Sequence, residues 1–381
     1  MSPAKKSATS QLIWRCSGAD SSRRGFFPQR LKLKPKPIYT LPTAGAVQAS
    51  VVFDDQSVCY VADMSGLVQA FVKDRPVWQS KLNGSLVASP IICGKQGYLF
   101  AATVAGSVYA IDPKSGQTLY KKNIPTESDP RILSDLLYVE KLNVVVLNSW
   151  GGKFYALSAD TLEEKLYWDA GITPYAGASA DSDGNIYLSR ALQGRGIEFV
   201  KISSESKETV LSHEPEGRRG ARRTIVSAAP VIDDSKKQVY FLANRDVGSH
   251  LCAFSTETGA LLWRLGLPNQ VQATPTLRPD GVLIVSDLRG LVLGIRTDGS
   301  LLFQYNTNSE YLIGGGVCEQ GGTFFTGDPL GYVHQISERG SGKVFFESQR
   351  AILARPSFSP EGNLYIPSTD KNVYVFESQK I

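Results

Sequence analysis

Chemistry in this chain has few places to start. Three histidines (His213, His250, His334) and five cysteines (Cys16, Cys59, Cys93, Cys252, Cys318) are scattered through 381 residues. No Cys-x-x-Cys pair and no zinc-like His/Cys spacing occurs, and the odd cysteine count argues against a disulfide framework. Four of the cysteines sit in apolar, strand-like contexts and read as small core residues. His334 lies in a similar run, while His213 and His250 border loops, with no spacing that supports general-base duty. Asp63, Asp112, Asp287, Asp328 and Asp370 stand beside turns, where Asp bonds the local backbone. No calcium set can be assembled from them.

The residues that do cluster are arginines. Arg190 and Arg195 lie in Ser-Arg-Ala-Leu-Gln-Gly-Arg-Gly, Arg218, Arg219, Arg222 and Arg223 in the run from His213 to Arg223, and Arg245 in Asn244 to His250. Glu214, Glu216 and Asp246 are interleaved with them. Arginine offers a rigid fork of donors that suits carboxylate or phosphate. Two readings stand: a docking site for an acidic partner, or solvated Gly-rich loops whose charges pair internally.

Charge is otherwise concentrated at one end. Residues 1–37 hold nine Lys/Arg and one acid, a net +8, whereas the whole chain is +5 and the remainder therefore −3. A nucleic-acid role for the whole protein is not expected, although the leader could touch phosphate. The leader is expected to be a disordered, solvated tail. Ser22-Arg23-Arg24-Gly25-Phe26-Phe27 resembles a twin-arginine export signal, but Pro28 to Pro35 supplies no apolar segment. Cys16, in Ile-Trp-Arg-Cys, lacks the small residues that precede a lipidated cysteine. A cytoplasmic location is expected, with export or organelle import through the basic leader as the alternative. No apolar run reaches about 18 residues, so no transmembrane helix is expected.

The elements that position these residues are repeats. The clearest copy runs from Gly106 to Tyr120: an alternating strand through Val108 and Ala110, a Ser115-Gly116 turn, and a second strand through Leu119-Tyr120. Aligned on it, residues 38–381 divide into eight copies of four short strands, a to d. Strand a carries Ala-Ser-Pro or similar, strand b reads Leu-Tyr or Leu-Phe, strand c reads Val-Tyr-Ala, and strand d ends on an aromatic. Successive copies are spaced by about 40–50 residues, the period of propeller blades. The eighth copy stops after Val373-Tyr374-Val375. Ile38 to Pro42 is therefore expected to supply its outer strand and close the ring.

The fold expected is all-β: an eight-bladed propeller of four-stranded antiparallel blades, the last closed by an N-terminal strand. In a propeller the b–c turns and d–a connections share a face, so the arginine-bearing loops of blades four and five should meet at one rim. Trp150, in Asn148-Ser149-Trp150-Gly151-Gly152, falls on that face as a binding hot spot or a plug over the channel.

The pattern Gly-x-Val-Tyr-Ala-x-Asp-x-x-(Ser/Thr)-Gly-x-x-Leu-(Trp/Tyr), best seen at Val108 to Tyr120 and Ala253 to Trp263, resembles the PQQ-like β-propeller repeat of quinoprotein alcohol dehydrogenases and their non-enzymatic relatives. For the enzymes the resemblance implies adjacent cysteines over a quinone, a Trp beneath it, and a Glu/Asn/Asp calcium set. This chain has no Cys-Cys pair, so neither quinone nor calcium is expected. The function expected is a non-catalytic scaffold akin to the propeller lipoprotein of the outer-membrane barrel-assembly machinery. Such a scaffold would be a monomer with a protein partner, acidic if the arginines meet it, and no metal. The alternative is a quinoprotein-like enzyme or a small-ligand binder using the channel mouth.

Overall fold

The computed structural model describes residues 13–125, 127, 129–169, 177–192, 196–214, 228–245 and 247–381. The predicted hairpin forms as Ser107–Ile111 and Thr118–Asn123. Around it Ile91–Cys93 and Tyr98–Ala102 complete a four-stranded antiparallel sheet. Eight such blades make the ring, beginning with Val52–Phe53, Cys59–Ala62, Leu67–Val72 and Arg75–Lys81. Blade 8 has three strands of its own, and Tyr39–Pro42 pairs with Asn372–Phe376 as the fourth. The N-terminal closure expected from the repeat count is thus present, and it completes the last blade to four strands.

The repeat chemistry explains how blades join. Trp78, on strand d of blade 1, packs against Gly116 in the c–d turn of blade 2, and its indole N–H donates to the Pro113 carbonyl at 2.8 Å. Gly116 has φ +74° and an added Cβ would strike the indole, so the turn needs glycine for both reasons. Trp263 repeats the contact with blade 6, donating to the Thr297 carbonyl at 2.6 Å.

Strand a begins later than the sequence pattern suggested. Ala-Ser-Pro precedes it: in blade 2 the motif is Ala88-Ser89-Pro90 and the strand starts at Ile91. The chain there bonds sideways to the next blade. The Ser50 N–H donates to the Ser89 hydroxyl at 2.9 Å, and the Ser89 N–H to Asp135 Oδ1 at 2.7 Å. The blade 4 insertion is in part a lengthened hairpin, Ile186–Leu192 against Gly196–Ile202.

The leader departs furthest from expectation. From Ile13 on it is folded into the ring, and the boundary at residue 37 separates no independent tail. The Trp14 and Arg15 carbonyls accept the N–H groups of Phe53 in blade 1 and Ile92 in blade 2. The Ser21 hydroxyl donates to the Tyr138 carbonyl of blade 3, and the Ser21 and Ser22 carbonyls accept from Ala180 and Ile232 of blades 4 and 5. Arg24 and Gly25 accept from Leu277 and Cys318 of blades 6 and 7, and Phe26–Phe27 adds a parallel strand there. Trp14 and Phe27 meet Phe358 of blade 8. The segment makes one circuit of the channel. The physical reason is that strand a of each blade is an inner edge with unpaired backbone groups, and the leader bonds N–H groups of six blades and a carbonyl of blade 3. Leu31–Leu33 then pairs with Ser378–Lys380.

Candidate functional site: a blind channel beneath the loop-bearing face

The b–c turns and d–a connections do share a face. The N–H groups of Met64, Val104, Trp150, Leu288 and Thr369, all in b–c turns, bond to carbonyls of Ala46, Ser85, Arg131, Gln270 and Ala351 in the d–a connections. Several b–c turns open on an aspartate. In blade 7 Asp328 Oδ1 accepts the N–H groups of Leu330 and Tyr332, both at 2.9 Å, and Oδ2 meets His334 Nε2 at 2.9 Å. Burial pushes the Asp328 carboxyl up, but the His334 bond, the Tyr332 N–H and the imidazole's charge hold it below the usual carboxylate range. Asp63 and Asp287 hold their turns in the same way. The turn role expected for these aspartates, and the structural one for His334, are what the structure shows.

The expected arginine rim is divided. Arg195, Arg218, Arg219, Arg222 and Arg223 lie outside the described residues, as does Asp246. Arg190 sits on strand b of blade 4, where Nε is 2.8 Å from Glu198 Oε2 and Nη2 is 2.8 Å from Glu208 Oε1. Glu214, itself buried, gathers Arg245, Arg264 and His250. Arg190 and Arg245 therefore both have carboxylate partners within the fold. Trp150 is half-buried, with the Arg131 guanidinium 4.7 Å from its ring centre. It sits in the b–c turn of blade 3, on the loop-bearing face, where its backbone N–H donates to the Arg131 carbonyl.

Two features of this face were missed in the sequence. The first is an apolar patch between blades 6 and 7. Tyr311 (59% exposed) and Ile313 (37%) lie on the d–a connection, and Leu330 (63%) on the adjoining b–c turn. The apolar residues inside these turns were the available signal. The second is the closure of the channel at one end and the buried arginines that line it. The leader closes its far end, leaving a cavity of about 450 Å³ to which every blade contributes, from Ser50 of blade 1 to Arg355 of blade 8. Ser17 and Arg23 of the leader are part of its lining.

Arg23 and Arg355 are 2% and 4% exposed. Arg23 donates from Nε to the Ala178 carbonyl at 2.8 Å, from Nη2 to Asp135 and Leu136 carbonyls at 3.0 and 2.9 Å, and from Nη1 to the Ser17 carbonyl at 3.2 Å. Arg355 donates from Nε to Gly316, from Nη1 to Arg23 and from Nη2 to Pro275, all carbonyls, and from Nη2 to Thr276 Oγ1. Burial lowers the Arg355 pKa to about 10, with the charge of Arg23 acting the same way, so it stays cationic at neutral pH. Arg355 and Asp135 occupy the Ala-Ser-Pro column that is Ser, Ala or Thr in Ser50, Ser89, Ala229 and Thr274. That break in the column was the readable sign of the site.

A calcium–quinone pair does not fit this cavity. Asp135 is the one carboxylate among its described lining residues, and its Oδ1 is already engaged by the Ser89 N–H. The cysteines are all buried free thiols, and none lines the cavity among its described residues.

The profile of the family described as outer membrane protein assembly factor BamB matches residues 6–232 and 206–343. Among solved structures, BamB from Moraxella catarrhalis superposes with a TM-score of 0.72 at 17% identity, covering 91% of this chain and 100% of the other. Quinohemoprotein alcohol dehydrogenase from Comamonas testosteroni gives 0.76 at 11% identity, covering 97% and 81%. The computationally designed protein Ika8 gives 0.68 at 12% identity, covering 90% and 99%. No curated protein sequence matches the chain. At these identities the structural likeness is one of fold, whereas the profile match spans most of the sequence. The chain belongs to the PQQ-like propeller family described as outer membrane protein assembly factor BamB.

Proposed function

We propose that the chain is a non-catalytic interaction scaffold that docks a protein partner on its loop-bearing face. The observation that carries the reading is the Tyr311–Ile313–Leu330 patch, exposed beside the channel mouth on the face formed by the least regular connections. Exposed aromatic and aliphatic groups at a concave mouth are what a partner segment buries. The family description, an assembly factor, supports the same kind of role here. Arg218, Arg219, Arg222 and Arg223 lie in sequence between blades 4 and 5, and we assign them the steering of an acidic partner segment. The reading uses no quinone, no calcium and no catalytic residue, and it takes the protein as a monomer. Among the described residues no helix is long and apolar enough to cross a membrane.

The test is affinity capture from the native cell, with the captured protein identified and its binding then measured in purified form. Tyr311→Glu combined with Leu330→Glu is expected to lose that partner. Leu262→Glu, on an exposed outer strand, is expected to keep it. Charge reversal of the four arginines should slow association and flatten its salt dependence. Equal binding by wild type and the double variant would overturn the reading.

The cavity favours a second reading, small-ligand binding at the channel mouth, because it is closed at one end and lined by every blade.

A further inference from the structure

We infer that the blind channel is a binding site for a small oxyanion, a molecule bearing a carboxylate or phosphate group, seated against Arg23 and Arg355. Four observations converge on it. First, two guanidiniums sit at one cavity, both almost fully buried. Among the described residues neither makes an ion pair; their hydrogen-bond partners are backbone carbonyls and one hydroxyl. Buried charges of one sign ordinarily have a counter-charge in contact. Here the lining supplies one carboxylate, Asp135, against two cations, so the cavity is left with a net positive charge.

Second, the donors are not used up. An arginine has five N–H groups. Each of these two spends four on the protein, leaving one Nη1 proton on Arg23 and one on Arg355. One N–H donor left on each of two fixed guanidiniums at the same cavity suits an oxyanion.

Third, the arginines are held in place before any ligand arrives. The leader folds back on itself at Gly18 and Gly25, joined by a 2.9 Å backbone bond. Arg355 lies against both glycines, and a Cβ at either would strike its guanidinium. Such rigidity lowers the entropy lost on binding. Fourth, the remaining polar wall, with Gln48, Gln272 and Thr274, offers hydrogen bonds to hydroxyl groups, and the volume of about 450 Å³ suits a small organic acid or sugar phosphate. The site adjoins the docking patch, sharing Ile313 with it, but the patch includes neither Arg23 nor Arg355, so either can fail without the other.

Calorimetric titration and thermal-shift measurement on the full chain, in low-chloride buffer, test it. The probes are citrate, inorganic phosphate, glucose 6-phosphate and neutral glucose. At least one anion is expected to bind with 1:1 stoichiometry and a Kd of about 1 mM or tighter, and to raise Tm; glucose is expected to do neither. Citrate and the phosphates separate the carboxylate source from the phosphate one. Arg355→Gln should weaken binding about tenfold or more. Should that variant not fold, Ala229→Leu, which fills the cavity from the blade 5 wall, and Gln272→Leu carry the same expectation. Absence of binding by every anion, equal binding of glucose, or undiminished affinity in Ala229→Leu would overturn the assignment.

Discussion

Replacing Trp14 by alanine tests whether the leader is part of the fold. Trp14 is 1% exposed and meets Phe358 of blade 8 at 6.0 Å between ring centroids, edge to face. Truncating a buried Trp costs about 3–5 kcal/mol. Among the described residues its indole Nε1 is buried without a hydrogen-bond partner, a penalty of about 1–3 kcal/mol that the alanine variant no longer carries. The net loss expected, from the middle of each range, is about 2 kcal/mol. Unfolding entropy of about 2.1 cal/mol/K per residue gives about 0.8 kcal/mol/K for a chain of this length, so Tm should fall by about 2.5 °C. Trp14→Phe keeps the ring contact and removes the unpaired N–H, and should cost less than about 1 kcal/mol. Calorimetry at a reversible scan rate reads both. A Trp14→Ala variant with unchanged Tm would refute the reasoning, because a solvated tail has no buried indole to lose.

Gly25→Ala should destabilise by about 2–5 kcal/mol in chemical denaturation, from a left-handed φ of +67° and a methyl driven onto Arg355. Asp328→Asn should cost about 1.5–3 kcal/mol at neutral pH, the worth of a hydrogen bond to a charged group. Because the Asp328 carboxyl titrates below its usual value when folded, its stabilisation is fully present above the unfolded carboxylate pKa of about 4 and is lost as pH falls through the folded value. The gap between wild type and variant in pH-dependent unfolding should therefore close in acid; a gap that widens there would contradict the assignment. All five cysteines are free and buried. Burial raises every one of their thiols, Cys16 to about 12 and Cys252 to about 11, so a thiol reagent should label none in the native protein and all five after denaturation.

What was legible in the sequence followed from local rules that repeat. Gly116 and Trp78 each make sense within a short window, and eight copies of that window reveal the ring and its closing strand. The leader could not be read this way. Residues 13–27 have no alternation, because their partners are the inner edges of many blades rather than one neighbouring strand. Only Trp14, Phe26-Phe27 and the two glycines around Ser-Arg-Arg hinted at burial. The twin arginines take separate roles: Arg23 is buried at the cavity, while Arg24 pairs on the surface with Asp20 at 2.6 Å. At the rim, the acids that engage Arg190 come from strands of the same blade, Glu198 beside it in register and Glu208 on strand d. Spacing along the chain does not disclose that pairing.

The central claim is that one N-terminal circuit seals the channel, making a cup that opens on the loop-bearing face. Hydrogen–deuterium exchange resolved to single residues tests it most directly. The amides of Phe53, Ile92, Ala180, Ile232, Leu277 and Cys318 donate to leader carbonyls. They should exchange only through global unfolding in the full chain, and far faster in a chain that starts at residue 28. Fast exchange at these six amides in the full chain, or rates unchanged by the truncation, would contradict it.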